Sequence, residues 1–167
     1  KLYDYLHYNR ALASYNVDYT NDPRVIAAND KVVSICGAVQ ADLFSQINAE
    51  SHNGSQISGN GGMWDFVLGA AWSKGGKSFI CMSSTFQDSK KNTHSRIVPA
   101  LPTGSICTIP RQMVDYIVTE QGVERMTACS TWVRAEKMIK LAHPDFRDGL
   151  VKEAEKLKIW KRTNKIA

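Results

Sequence analysis

A glycine-rich stretch in the middle of the chain constrains the fold most strongly. Gly59, Asn60, Gly61 and Gly62 separate a β-prone run from a run in which apolar residues have helical spacing. Three glycines in four positions are costly to order, because glycine loses more backbone freedom on folding than other residues. A fold retains such a loop where the backbone needs a positive φ or where another group must approach it closely. Two interpretations are open at this point: a loop that binds a phosphate or pyrophosphate at a helix N-terminus, and a plain tight turn.

The size and composition of the chain indicate one domain with its own core. Its 167 residues are 43% hydrophobic, which is enough to bury a core. No apolar run approaches the roughly 20 residues needed to cross a bilayer, so we expect a soluble domain without a membrane partner. The chain begins at Lys1 rather than at a methionine and shows no signal peptide, so we expect a piece of a longer protein.

The positive charge is mild and unevenly distributed. The formal net charge is +5, and residues 145–167 carry seven Lys or Arg against four acids, a net +3. Such a segment is one way to attract nucleic acid or an anionic ligand. Neither an aromatic-interleaved basic stripe nor a nucleic-acid motif accompanies it, so the pattern favours a solvated helix face and predicts no nucleic-acid partner.

The cysteines and histidines are too scattered to predict a metal site. Zinc sites commonly take their ligands in closely spaced pairs, and the four cysteines contain no C-x-x-C pair. Cys36, Cys81 and Cys107 lie inside apolar β-like runs, which is typical of small buried hydrophobic residues in a reducing compartment. We therefore expect no metal, no disulfide and a cytoplasmic location.

The spacing of apolar residues predicts an α/β domain. Six short strands are predicted at residues 32–36, 39–48, 78–82, 96–98, 105–109 and 116–119. Residues 64–72 form a helix that is apolar on most sides and should pack against a sheet. Residues 51–58 are predicted to be a loop and residues 87–93 a hairpin-like loop. After Gly122 the period becomes helical, with helix starts at Ser130 or Thr131 and at Pro144.

Together these elements predict one mixed sheet of about six strands flanked by helices. The loop at Gly59 would lie at the carboxyl end of a strand, where open α/β sheets bind ligands.

Seven short motifs occur in a fixed order along the chain. They are Asp22-Pro23-Arg24-Val25-Ile26-Ala27, Gln46-Ile47-Asn48-Ala49-Glu50-Ser51, Ile57-Ser58-Gly59-Asn60-Gly61-Gly62 with Asp65-Phe66, Ser73-Lys74-Gly75-Gly76-Lys77-Ser78, Ser95-Arg96-Ile97-Val98-Pro99, Val118-Thr119-Glu120-Gln121-Gly122, and Ala142-His143-Pro144-Asp145-Phe146-Arg147. In this order they resemble the C-terminal half of the acetyl-CoA hydrolase/transferase family, which includes the 4-hydroxybutyrate and butyryl-CoA:acetate CoA-transferases. The resemblance extends from about Leu2 to Leu157.

The resemblance implies a two-domain enzyme whose halves both have the NagB/RpiA/CoA-transferase-like α/β fold and bind acyl-CoA between them. In such enzymes a glutamate of the N-terminal half attacks the acyl-CoA thioester and becomes a glutamyl-CoA thioester after anhydride exchange. The His-Ser/Thr-Glu-Met-type motif that carries this glutamate has no counterpart here.

The resemblance therefore implies that residues 1–167 are the C-terminal CoA-transferase domain and lack the catalytic half. We expect the chain to be inactive alone. Its partners would be the missing N-terminal half, acyl-CoA and a small carboxylate, in a homo-oligomer. Coenzyme A would be a substrate rather than a permanently bound cofactor.

The resemblance also implies roles for individual residues. Residues 59–62 match the family's G-x-G-G loop, whose backbone comes close to the thioester and whose amides suit a developing oxyanion. Glu120 matches a glutamate near the active-site cleft, with a structural carboxylate that caps the turn before Gly122 as the alternative. For Glu50 and Arg96 the pattern favours a satisfied loop carboxylate and a salt-bridged strand arginine.

Several positions depart from the family's pattern. Cys36 stands where an asparagine near the reaction centre is usual, and a thiol is a poorer hydrogen-bond donor. Gln40 stands where a glutamate is common, Met63 where Gln or Ser often follows the glycines, and residues 125–129 where a basic stretch is usual. These departures leave open an acyl-CoA hydrolase of the same family and a non-catalytic module that binds CoA or a nucleotide.

Overall fold

The computed structural model describes residues 1–160. Within them the helices are α1 (Leu2–Leu6), α2 (Val17–Thr20), α3 (Pro23–Ala27), α4 (Met63–Trp72), α5 (Thr131–Leu141) and α6 (Pro144–Lys156). The strands are β1 (Val33–Gly37), β2 (Gln40–Asp42), β3 (Ile47–Asn48), β4 (Ser51–His52), β5 (Ser55–Gln56), β6 (Lys77–Cys81), β7 (Thr85–Gln87), β8 (Thr93–Ser95), β9 (Ile97–Val98), β10 (Tyr116–Thr119) and β11 (Gly122–Arg125). The end of the basic segment, residues 161–167, lies outside the described residues.

The main sheet has four strands in the order β1-β6-β10-β11. The first three are parallel and β11 is antiparallel to β10, which confirms a mixed α/β domain with a mixed sheet. A single sheet of about six strands is not confirmed. The other strands form a three-stranded sheet, β3-β2-β9, and the two hairpins β4-β5 and β7-β8.

The predicted strand at residues 39–48 is a hairpin, because its middle contains a turn. The Asp42 carboxylate accepts hydrogen bonds from the backbone N–H groups of Phe44 (3.0 Å) and Gln46 (2.9 Å). Ser45 adopts φ +62°. A side chain that satisfies the backbone locally competes with a strand ladder, and here it reverses the chain between β2 and β3.

The predicted loop at residues 51–58 contains the hairpin β4-β5. Asn53 (φ +50°) and Gly54 (φ +76°) form its turn. An Asn-Gly pair is the preferred sequence for a two-residue hairpin turn, because both positions need a positive φ. The prediction of a loop at residues 51–58 is therefore wrong, although the Asn53-Gly54 pair in the sequence indicates a hairpin.

The predicted strand at residues 105–109 is wrong except for one bridge between Ile109 and Ile47. Side chains replace the ladder on either side of that bridge. The N–H of Ile106 donates to Ser51 Oγ (2.9 Å), and Thr108 Oγ1 accepts from the N–H of Ala49 (2.9 Å).

The predicted change to a helical period directly after Gly122 is also wrong. Residues 122–125 form β11, and the helix begins only at Thr131. The four-residue strand is too short for its alternation to be distinguished from a helical period in the sequence.

Helix α4 packs against the main sheet as predicted. Val67 and Ala70 are fully buried, and Val67 belongs to the core cluster that also contains Ile80 of β6 and Ile117 of β10. Helix α3 crosses α4 closely, since a Cβ on Gly69 would lie 2.5 Å from the Ile26 side chain.

Candidate functional site

The direction of α4 places the glycine loop at the carboxyl edge of the main sheet. At the C-terminal end of α4, Ser73 Oγ accepts from the N–H of Val32 (3.1 Å) and donates to the carbonyl of Asn29 (2.7 Å), next to the start of β1. Helix α4 therefore runs antiparallel to β1. Its ten residues span about 15 Å, close to the roughly 16 Å of a five-residue strand. Residues 59–62, at its other end, therefore lie at the edge where β1 and β6 end.

The loop itself leaves its backbone donors unused. Across residues 1–160, the N–H groups of Gly59, Asn60, Gly61 and Gly62 have no protein acceptor. Gly61 adopts φ +52°, which favours glycine, whereas Gly59 does not have a positive φ and a Cβ there would point into open space. The loop is solvent-exposed, apart from a half-buried Gly62.

Gly62 is small for a packing reason. A Cβ at this position would lie 2.5 Å from Asn21 Nδ2 and 3.3 Å from the Phe66 ring. Asn21 in turn donates to Asp65 in the first turn of α4 (3.4 Å). The three glycines therefore have different roles. Gly62 allows a close contact and Gly61 allows a positive φ, whereas Gly59 is required for neither reason.

The loop is anchored at its base through the main chain of Glu50. The Glu50 carbonyl accepts from the N–H groups of Ile57 (2.7 Å) and Ser58 (3.2 Å). The fully buried Asn48 side chain holds this segment, since its Oδ1 accepts from the N–H groups of Glu50 (3.1 Å) and Ser51 (2.9 Å). Glu50 thus contributes its backbone to the site.

Glu120 lies at the same edge, immediately after β10, and is bound by Ser84. The N–H of Ser84 donates to Glu120 Oε2 (2.9 Å), and the Ser84 hydroxyl donates to Oε1. Burial, the largest single influence, raises the pKa of Glu120, but the hydrogen bonds from Ser84, from the backbone of Glu120 and from Gln121 together outweigh it and lower the pKa to about 2. Glu120 is therefore an ionised carboxylate that ties the end of β10 to the segment after β6, and the Gln121 side chain in the turn before Gly122 also donates to it (3.4 Å).

Arg96 binds the same segment and forms no ion pair within the described residues. Its Nη1 donates to the carbonyl of Val39 (2.9 Å) and its Nε to Ser83 Oγ (3.2 Å). The guanidinium lies 5.1 Å from the centroid of the Phe86 ring. The sequence prediction of a salt-bridged strand arginine is therefore wrong. Arg96 instead joins the segment after β1 to the segment after β6.

Cys36 is half-buried one residue before the end of β1. Its Sγ lies 3.5 Å from the hydroxyl of Ser34, and its strand neighbour on β6 is the buried Ile80. The site residues thus fall into two groups at one edge. Glu120 and Arg96 both bind the segment of Ser83 and Ser84. The glycine loop directly precedes α4, and Cys36 lies near the end of β1.

Ser83 and Ser84 are the residues that the sequence prediction missed. They follow β6 after one intervening residue, Met82, at the edge where ligands bind in parallel sheets. Two hydroxyl side chains at that position were a usable signal, although nothing in the sequence linked Ser84 to a carboxylate 36 positions later.

The chemistry of this edge is that of a donor surface. Its free donors are the backbone amides of the loop, while the Glu120 carboxylate is bound to Ser84 and the Asp65 carboxylate accepts from Asn21. Among residues 1–160 no group of three or more His, Cys, Asp or Glu side chains is placed to hold a metal ion. No helix in the same residues is long and apolar enough to span a membrane.

Comparison with known proteins identifies a family and several relatives with similar sequences. Residues 1–154 match the acetyl-CoA hydrolase/transferase C-terminal domain. The chain is 54% identical over 165 residues to the butyryl-CoA:acetate CoA-transferase of Anaerostipes caccae, covering 99% of this chain and 37% of that protein. It is 46% identical over 156 residues to the 4-hydroxybutyrate coenzyme A transferase of Clostridium kluyveri, covering 93% of this chain and 36% of that protein.

The fold is similar to that of a solved structure as well. RipA from Yersinia pestis matches with a TM-score of 0.85 and 44% identity, over 95% of this chain and 35% of that one. The chain thus spans little more than a third of the length of the relatives that it matches.

Proposed function

The chain belongs to the acetyl-CoA hydrolase/transferase family, and we propose that it is the C-terminal domain of a CoA-transferase. In this proposal the full-length enzyme moves CoA from a short-chain acyl-CoA to a carboxylate acceptor. The observation that carries it is the exposed glycine loop with free amides at the carboxyl edge, in a chain 54% identical to a butyryl-CoA:acetate CoA-transferase.

The glycine loop is proposed as one wall of the acyl-CoA site. Amides without a protein acceptor are available to the thioester oxygen as negative charge develops on it. The absence of a side chain at Gly59 and Gly61 leaves the approach to these amides open. Coenzyme A is accordingly a substrate in this proposal rather than a permanently bound group.

The nucleophile is proposed to come from polypeptide outside these 167 residues. Glu120, which the family resemblance places near the cleft, has its charge stabilised by Ser84, and a carboxylate with a pKa of about 2 is a weak base and nucleophile. A glutamate of an N-terminal half would attack the thioester and carry CoA as a glutamyl-CoA thioester. Residues 1–167 alone are then inactive.

Glu120 and Arg96 are proposed as positioning residues. Both hold Ser83 and Ser84, and through Val39 Arg96 also fixes the segment that follows β1. Cys36 is proposed to line the site from β1, in place of the family's usual asparagine.

The proposal also covers the longer protein. We place it in the cytoplasm, because Cys36, Cys81, Cys107 and Cys129 are free thiols, as suits a reducing compartment. Its two halves would share the NagB/RpiA/CoA-transferase-like fold and associate into homo-oligomers.

The test is a CoA-exchange assay with the full-length protein, butyryl-CoA and acetate. We expect acetyl-CoA and butyrate in equal amounts, with borohydride trapping the glutamyl-CoA thioester on a glutamate outside these 167 residues. Absence of acetyl-CoA formation from any short acyl-CoA would contradict the transferase assignment.

Two alternatives give different products in the same assay. A hydrolase, which the family's description includes, would release free CoA and acid without needing acetate. A non-catalytic CoA-binding module, favoured by the thiol at Cys36 and by the lack of a nucleophile in this chain, would bind butyryl-CoA and release nothing.

A further inference from the structure

One face of the four-stranded sheet carries apolar residues on all four strands, and its charged residues, Lys77 and Arg125, lie at one end of it. Residues that are paired between neighbouring strands point to the same face of the sheet. The register pairs β1 with β6, β6 with β10, and β10 with β11, so the residues of each face can be followed across all four strands. The apolar residues that share this face, called here the open face, are Val33, Ile35, Phe79, Cys81, Tyr116, Val118 and Val123.

The opposite face is covered by the domain's own helices. Ile80 and Ile117 are fully buried there in one cluster with residues of α4 and α5. The Thr119 hydroxyl donates to the carbonyl of Leu141 at the end of α5 (2.8 Å), and Lys137 of α5 lies 3.7 Å from Glu124. Both helices therefore lie on this side of the sheet, and the open face is the other one.

The apolar side chains of the open face are unusually exposed to solvent. Ile35 is 71% exposed, Val33 58% and Val123 56%. Two stacked aromatic rings lie on the same face. Those rings, Phe79 and Tyr116, have centroids 4.9 Å apart. A solvent-facing side of a sheet normally carries polar residues on each strand, whereas the open face carries apolar residues on every strand, with Lys77 and Arg125 at one end. A contiguous apolar patch of this kind marks an interaction surface.

Parallel strands strengthen this conclusion. Parallel sheets occur almost only where both faces are covered, and β1, β6 and β10 are parallel. The chain also spans only 37% of the length of a relative that it matches at 54% identity, so a full-length protein of this kind has polypeptide available to form a second layer.

We infer that the open face is covered, in the full-length protein, by an apolar helical layer from its own polypeptide outside these 167 residues. The inference rests on the proposal that the chain is part of a longer CoA-transferase. It adds a surface distinct from the carboxyl edge, and it assigns Ile35, Phe79 and Val123 to a contact within the protomer.

The test compares two engineered thiols in the full-length protein. Ile35→Cys places a thiol on the open face, and Leu157→Cys places one at the end of α6, where Leu157 is 43% exposed. By exposure within these residues alone, the thiol at position 35 should react faster. If the face is covered, its alkylation, followed by peptide mass spectrometry, should be at least about tenfold slower than that at position 157.

A second pair of variants measures the contact energetically. Ile35→Lys should lower the melting temperature by about 4 °C or more, because it buries a charge in an apolar contact. The matched Leu157→Lys should change it by about 1 °C at most. If Ile35→Lys does not fold, the alkylation rates of the cysteine variants still decide.

The outcomes separate this inference from its rivals. Faster alkylation at position 35 than at 157 would overturn it. Protection that disappears when the oligomer is diluted into protomers would assign the face to a second copy instead, and would also overturn it. Protection at position 35 without CoA transfer would support the covered face and refute the proposed function. CoA transfer without protection at position 35 would support the proposed function and overturn the covered face.

Discussion

The glycine loop and the Glu120–Ser84 cluster lie at the same edge of the sheet and differ in how they use their hydrogen-bonding groups. The loop has four backbone N–H groups without a protein acceptor within residues 1–160. In the cluster, both carboxylate oxygens of Glu120 accept from Ser84, and the Arg96 guanidinium binds Val39 and Ser83. A group that the protein has already satisfied holds the fold, whereas an unsatisfied group is available to a ligand. The comparison therefore predicts different consequences for substitutions in the two regions.

The largest effect is expected at Gly59. Gly59→Val adds a branched side chain where the protein has open space, so the melting temperature should not change. The side chain should block access to the loop amides and lower kcat/KM for CoA transfer by about 100-fold or more. Steady-state kinetics of the full-length enzyme measures this.

A matched control for that substitution is available in α6. Gly149 also has open space around a Cβ, and Gly149→Val should leave kcat/KM unchanged. Wild-type turnover in Gly59→Val would show that the loop is only a turn, and would remove the distinction between the two regions.

Glu120→Gln should mainly lower the stability of the protein. Replacing the carboxylate removes charge-assisted hydrogen bonds to Ser84 and should cost about 1–3 kcal/mol of unfolding free energy, measured by urea titration. Ser84→Ala should cost less, and the double variant should cost less than the sum of the two. Additive losses would mean that the pair is not coupled. An unchanged stability with a large loss of kcat would make Glu120 a catalytic residue instead.

The pH dependence of stability follows from the same pair. The pKa of Glu120 lies at about 2, below its ordinary value of 4.5, because the hydrogen bonds from Ser84 favour the charged form. Its stabilisation should therefore be complete above pH 4.5 and disappear as the pH falls towards 2. The difference in unfolding free energy between wild type and Glu120→Gln should be constant from neutral pH to about 5 and then shrink. A difference that changes around neutral pH would contradict this assignment.

The smallest effect is expected at Cys36. An amide is a stronger hydrogen-bond donor than a thiol, so Cys36→Asn should raise kcat/KM by about three- to tenfold, which corresponds to one added hydrogen bond. The matched Cys36→Ser tests whether a hydroxyl suffices. A fall in activity for Cys36→Asn would mean that this enzyme is adapted to the thiol.

Much of the fold could be predicted from the sequence. The spacing of apolar residues located α4, α5 and α6 and three of the four strands of the main sheet, β1, β6 and β10. The hairpin around residues 87–93 also follows from local turn residues. The ordered motifs identified the family, which a match over residues 1–154 confirms.

The remaining differences arise where side chains satisfy the backbone. Asp42 turns residues 39–48 into a hairpin, and Ser51 and Thr108 replace a strand ladder around residues 105–109. The Asp42 bonds are local, whereas those of Ser51 and Thr108 join residues 55 and 59 positions apart, which folding brings together. The spacing of apolar residues reveals neither kind. The same holds at the site, since Ser84 and Glu120 are 36 positions apart.

Hydrogen exchange of residues 59–62 in the full-length protein tests the central claim most directly. Amides without an intramolecular acceptor exchange fast in the free protein. If the loop forms a wall of the acyl-CoA site, saturating butyryl-CoA should slow exchange in a peptide that covers these residues, whereas the peptide that covers Gly149 stays unchanged. Unchanged exchange at residues 59–62, with butyryl-CoA bound and other segments protected, would contradict the claim.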